Sequence, residues 1–170
     1  MLALPDSPVV RIPPQDSAAL AAMFNPSKED VRRFFCETWR KHREAKVLSP
    51  LEAVALDWMI RHPEYHGVFE DLDAALTREY AVDEGRTNPF LHMSMHLAIA
   101  EQLSIDQPPG IRAVFRQLVA RRGDEHAAMH DVMECLGEAV WSAQRGGQAA
   151  PADEMSARYL DCLKRRASDN

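Results

Sequence analysis

The sequence predicts an all-α fold: a single helical bundle of four to five main helices, with a C-terminal amphipathic helix packed on it. Three observations predict this. Apolar residues recur at steps of three and four along most of the chain. Helix-start signatures, with Ser or Asn before Pro, sit between those runs. No run alternates with period two or carries the Val, Ile, Thr and Tyr enrichment of a strand. With 170 residues, 46% of them hydrophobic, the chain is long enough for one domain with a sizeable core.

Residues 1–22 read as an extension outside the bundle. Pro5, Pro8, Pro13 and Pro14 interrupt them, and Ala18 to Ala22 is too short to hold a helix alone. The segment is expected to be disordered, or to lie ahead of a true start at Met23. The bundle is then expected over residues 23–146. Its first helix runs from about Lys28 to Ala45, capped by Ser27 with Asp30 three residues on, and its apolar stripe is Val31, Phe34, Phe35, Thr38 and Trp39. The second opens at Ser49-Pro50-Leu51-Glu52, a capping box with proline in the first turn, and stops near His62 because Pro63 disfavours helical geometry before it. Short helical pieces follow at 63–70 and 73–80, then a loop at 83–87.

Asn88-Pro89 opens a third long helix to about Ile105. No Asp, Glu, Lys or Arg occurs between Phe90 and Ala100, so this helix is expected to be buried on most sides. A fourth helix carries Ile111, Val114, Phe115, Leu118 and Val119 and ends at Gly123. A fifth runs from about Asp124 to Gln144. Residues 147–152 read as a linker to the last helix, 153–166, whose apolar side holds Met155, Tyr159, Leu160 and Leu163.

Composition excludes several classes. No window approaches the roughly 18 uninterrupted apolar residues of a membrane span. The N-terminus lacks the basic start and apolar stretch of a secretion signal, so a cytoplasmic location is expected. A formal charge of −6 argues against general nucleic-acid binding. Cys36, Cys135 and Cys162 are odd in number and far apart, which predicts reduced thiols, with Cys36 and Cys135 behaving as small hydrophobes. No nucleophile elbow, P-loop, dinucleotide fingerprint or His-Glu-x-x-His is present, and no reaction or substrate can be read.

The chemistry-bearing pattern is in the histidines. Six of the seven fall in pairs four apart: His62/His66, His92/His96 and His126/His130. Chance placement would give on the order of 0.2 such pairs. One helical turn puts both imidazoles of a pair on one face, about 5–6 Å apart at Cβ. His92 and His96 continue as Ile99 and Leu103. His126 and His130 continue as Met133, Gly137 and Val140, a face expected to point inward with Gly137 permitting close approach. Two inward pairs on two long helices can hold metal in a bundle core. The expected ligands are His66, His92, His96, His126, His130 and Glu134, around one or two divalent ions, iron or zinc. Pro63 takes His62 out of regular helix and makes it a capping residue, leaving His66 to reach the centre. Glu64 is either a ligand or an outer partner. Met93, Met95, Met129 and Met133 admit haem as a lesser alternative.

The stretch Asn88-Pro89-Phe90-Leu91-His92-Met93-Ser94-Met95-His96, with Gln107-Pro108-Pro109-Gly110, resembles a proteobacterial family known as domain of unknown function 1841. So do Met23 to Ser27, His62-Pro63-Glu64-Tyr65-His66 and His126 to Glu138. The resemblance covers about Met23 to Arg166 and implies no activity. More loosely, the histidine pairs are similar to those of hemerythrin-like bundles, which hold two irons, and of DinB-like bundles, which hold one divalent metal. A different class of function remains open. Residues 28–46 carry Lys28, Arg32, Arg33, Arg40, Lys41, Arg43 and Lys46 against four acids, and could bind RNA or an acidic protein surface.

Overall fold

The computed structural model describes residues 27–80, 87–145 and 151–168. The expectations for residues 1–22 and for most of the 147–152 linker lie outside the described residues. Those that are described are helical, with no strand among them. Eight α-helices follow in order: α1 (Lys28–Arg43), α2 (Pro50–Ile60), α3 (His66–Phe69), α4 (Leu72–Thr77), α5 (Pro89–Ile105), α6 (Ile111–Arg122), α7 (Glu125–Arg145) and α8 (Ala152–Ser168). A 3₁₀ turn, Pro63–Tyr65, joins α2 to α3.

The boundaries have local causes. Ser27 and Ser49 each form a reciprocal capping box, with Asp30 and Glu52, satisfying backbone donors that a helix start leaves free. Asp71 caps α4, and the Asn88 side chain accepts from Phe90 N and Leu91 N at the start of α5. Asp124 does the same for α7, accepting from His126 N and Ala127 N. Gly123 ends α6 at φ 70°, a left-handed conformation in which a side chain is strained. The first helix stops at Arg43 rather than Ala45, because Ala45 itself has φ 53°.

Two groups of helices share one core. On one side α1 packs against α2, α3 and α4 through Phe35, Trp39, Met59 and Phe69. On the other, α6, α7 and α8 pack together through Leu118, Met129, Val132 and Leu163. Helix α5 lies at the seam and touches α1, α2, α6 and α7. Its uncharged stretch explains that position: between Phe90 and Ala100 only Leu91 and Ala98 are exposed. Polar ties reinforce the apolar contacts. Arg32 is buried and donates to Ala75 O and Leu76 O at 2.9 and 3.2 Å. Tyr159 donates to Gln102 Oε1 at 2.9 Å, joining α8 to α5.

Two expectations are corrected. The face of α7 that starts at His126 turns outward beyond Met133: Gly137 is exposed, a Cβ there would meet nothing within 4 Å, and Val140 is 39% exposed. The buried face is instead Ala128, Met129, Val132, Cys135 and Ala139, because α6 and α8 pack against that side of α7, while the histidine face is covered only over the first turns. Second, Cys135 and Cys162 form a disulfide between α7 and α8, with Cα atoms 5.7 Å apart. Their separation of 27 residues hid a pairing that only the antiparallel return of α8 creates. Cys36 does behave as a hydrophobe: it is free and buried, and burial, then Asp71 and Glu37, push its thiol up to about 11.

Closing a loop of this length restrains the unfolded chain. Cys162→Ser is therefore expected to lower unfolding stability by about 3 kcal/mol under oxidising conditions and by far less in excess dithiothreitol. Urea unfolding curves with and without reductant check this; equal losses under both conditions would contradict it.

Candidate metal centre

Five imidazoles converge where α2, α5 and α7 meet. Helix α5 supplies His92 and His96 from one face, and α7 supplies His126 and His130 from its first two turns. The fifth is His62, which follows the end of α2. Pro63 forces His62 out of the helix to φ −122° and ψ 66°. That break swings the ring inward, and His62 is 1% exposed.

The His62 ring is held by its own helix end. Nδ1 lies 2.8 Å from Trp58 O. A carbonyl can only accept, so Nδ1 carries the proton, and a neutral ring then presents the Nε2 lone pair to the centre. Three other nitrogens close on that atom: His92 Nε2 at 3.0 Å, His126 Nε2 at 3.0 Å and His96 Nε2 at 3.3 Å. One ring nitrogen can serve one hydrogen-bond partner in its plane, not three. Mutual hydrogen bonding therefore does not satisfy the cluster. His96 Nδ1 and His130 Nε2 are buried and have no hydrogen-bond partner among the described residues. One donor atom each from His62, His92, His96 and His130 can be chosen so that all lie within 4.8 Å of one another.

Aromatic rings wall the cluster. Trp58 stacks on His96 with centroids 4.5 Å apart and planes at 14°, which holds the ring whose Nδ1 has no hydrogen-bond partner among the described residues. Arg61 lies over the other reach of Trp58 and pairs with Glu125 at 3.1 Å. Tyr65 lies parallel to His62 at 5.6 Å and edge-on to His92 at 5.6 Å. Burial, then the neighbouring His62, pushes His92 down to about 4 and His96 to about 2. The same two causes, in the same order, lower His126 and His130. The rings are thus held neutral, the form that ligates metal. Among the described residues no carboxylate enters the cluster. Glu64 and Asp124 act on it only through their fields, as does Glu134 on His130.

The sequence-predicted residues divide accordingly. His92, His96, His126 and His130 are brought together. His66 and Glu134 are not. His66 Nε2 donates to Met59 O at 2.8 Å, and its ring lies on Trp39 at a centroid distance of 4.2 Å. Glu134 faces α8 and pairs with Arg166 at 2.6 Å, in a network where Asp131 also binds Arg122 and Arg166. Four residues past His130 is 40° off its line, enough to carry the carboxylate out of the centre. His62 is the residue that sequence reasoning missed. The signal was present in His62-Pro63-Glu64-Tyr65-His66, but the proline that removes His62 from the helix is what aims it inward. Among the cations of residues 28–46, Arg32, Lys41, Arg43 and Lys46 all have partners within the chain.

The fold and the site define an all-α bundle with a core of clustered histidines. The chain matches the model of the family described as domain of unknown function (DUF1841) over residues 27–165, and it belongs to that family. No curated protein and no solved structure matches it.

Neutral buried imidazoles make stability depend on pH. In the metal-free protein the unfolded chain takes up protons near 6.5 that the folded cluster refuses until about 4 at His92 and lower still at His96. Unfolded protein binds more protons in that window, so stability is full above pH 6.5 and falls as pH drops through it. Urea midpoints with chelator at about pH 7.5, 6 and 5 are expected to decline in that order. A midpoint constant across this range would contradict the neutral cluster.

Proposed function

We propose that this protein is a non-haem metal-binding bundle in which His62, His92, His96, His126 and His130 hold one divalent ion, iron or zinc. The observation that carries the reading is the approach of three imidazole nitrogens to His62 Nε2 at 3.0, 3.0 and 3.3 Å, which hydrogen bonding cannot satisfy. Metal–nitrogen bonds of 2.0–2.1 Å put neighbouring donors about 3.0 Å apart at right angles and about 3.3 Å apart in a tetrahedron. The spacing in the cluster is that of donors around a shared centre. The Trp58 carbonyl supports the reading further, since a metal-ligating histidine usually donates its other ring N–H to a carbonyl or carboxylate.

The donor set favours a borderline ion over a hard one. Imidazole nitrogens suit zinc, iron, copper and nickel, whereas magnesium and calcium want oxygen. Five donors, four from two helices and one from the break after α2, explain why one interior tolerates five polar rings. Coordination would give the unpartnered buried Nε2 of His130 a bond.

Metal analysis of the full chain, purified without a histidine tag, tests this. Close to one equivalent of zinc or iron is expected; less than about 0.2 per chain after gentle handling would overturn the reading. His62→Ala and His92→Ala are expected to lose most of the metal, His92 being half-buried and the safer variant for folding. His66→Ala and Glu134→Ala are expected to keep it. Loss of metal from the last two alone would point to a different centre.

A further inference from the structure

Resting on the proposed metal centre, we infer that the Trp58 side chain is a positioning residue for it: the indole orients His96, in place of the hydrogen bond that orients His62, and thereby sets how tightly the ion is held. A ligating imidazole gives one nitrogen to the ion and turns the other outward. Rotation about its Cβ–Cγ bond has broad, shallow preferences, so something outside the ring has to fix it. The usual device is an acceptor for the outward N–H, a carbonyl or a carboxylate.

The two fully buried rings of the cluster, His62 and His96, meet this need differently. His62 uses the usual device, with Nδ1 2.8 Å from Trp58 O. His96 turns Nε2 toward the centre, 3.3 Å from His62 Nε2, which leaves Nδ1 outward. That nitrogen is buried and has no hydrogen-bond partner among the described residues. His96 has a flat surface instead. The Trp58 indole lies 4.5 Å from it, centroid to centroid, with the planes 14° apart. An imidazole pressed against an indole in this way cannot turn about Cβ–Cγ without driving an edge into it. A ligand already held in its binding orientation loses less freedom when the ion arrives, and the ion binds more tightly for it.

Trp58 therefore acts twice, on His62 through its backbone and on His96 through its side chain. A substitution at this position separates the two, because it removes the indole and keeps the carbonyl. The indole is itself held in place. Arg61 lies over it, with the guanidinium carbon 4.8 Å from the ring centroid, and pairs at 3.1 Å with Glu125, the residue before His126. Trp58 is 9% exposed, so water does not compete for the stacked surface.

Zinc affinity of the full chain, measured by competition with a chromophoric chelator, tests the inference. Trp58→Leu, its helical content checked by circular dichroism, is expected to bind zinc about tenfold or more weakly, the loss seen when an outer partner of a ligating histidine is removed. Trp58→Phe keeps a flat ring at the position and is expected to stay within about threefold of the unaltered chain. Trp39→Leu removes a buried indole that stacks on His66 instead, and is expected to leave zinc affinity unchanged. Native affinity in Trp58→Leu, equal losses in Trp58→Leu and Trp58→Phe, or an equal loss in Trp39→Leu would each overturn the role of the indole while leaving the metal centre standing. A second measurement needs no variant: in the metal-free protein the carbon-bound ring protons of His96 are expected upfield of a free imidazole in the proton NMR spectrum, shifted by the indole ring current. Unshifted protons would overturn the stack. Shifted protons in a chain that takes up neither zinc nor iron would remove the metal centre, and with it the positioning role, but not the stack.

Discussion

The hydrogen bond from His62 Nδ1 to the carbonyl of Trp58, at 2.8 Å, is the constraint on which the site depends. It orders the ring, decides which nitrogen carries the proton and aims the other at the meeting point of three helices. Its existence follows from a sequence event two bonds away. Pro63 ends α2, the last carbonyls of that helix lose their usual partners, and the side chain of His62, just before the proline, takes one of them. His66 takes the neighbouring Met59 carbonyl at 2.8 Å. A single helix end therefore fixes both histidines of the 62/66 pair, one into the cluster and the other against Trp39.

The rest of the bundle exists around that point. Helix α5 is uncharged where it crosses the seam, so two imidazoles can be carried into the core without a competing ion pair. Asp124 sets the start of α7 and with it the height of His126 and His130. Charged groups of α6, α7 and α8 are gathered elsewhere, around Asp131, where Arg122 and Arg166 hold its carboxyl below the usual carboxylate range. The separation matters physically. With no carboxylate of the described residues among its rings, the cluster binds protons weakly: burial, then His62, lowers His92, His96, His126 and His130.

Much of this was legible in the sequence. The helices, their caps and the inward pairs 92/96 and 126/130 follow from periodicity, from Ser27, Ser49 and Asn88, and from the missing charges of α5. What was not legible depends on backbone departures and long-range packing. His62 reads as a cap by local rule, and the rule is right about its backbone but silent about where the ring goes once the helix breaks. Glu134 was carried inward by a four-residue count that drifts 40° per turn, and Gly137 by a face that neighbouring helices cover only over the first turns of α7. Cys135 and Cys162 meet because α8 returns along α7, and nothing local to either residue announces it. In each case the misleading element was a regular helix extended one step too far, or a partner supplied by a distant segment.

Anomalous X-ray scattering from crystals of the protein as purified, at the iron and zinc edges, bears most directly on the central claim. The account predicts one strong peak per chain, about 2.0–2.2 Å from Nε2 of His62 and at bonding distance from rings of both α5 and α7. A peak bound through His66 or Glu134 instead, or five converged imidazoles with no anomalous scatterer among them, would contradict it.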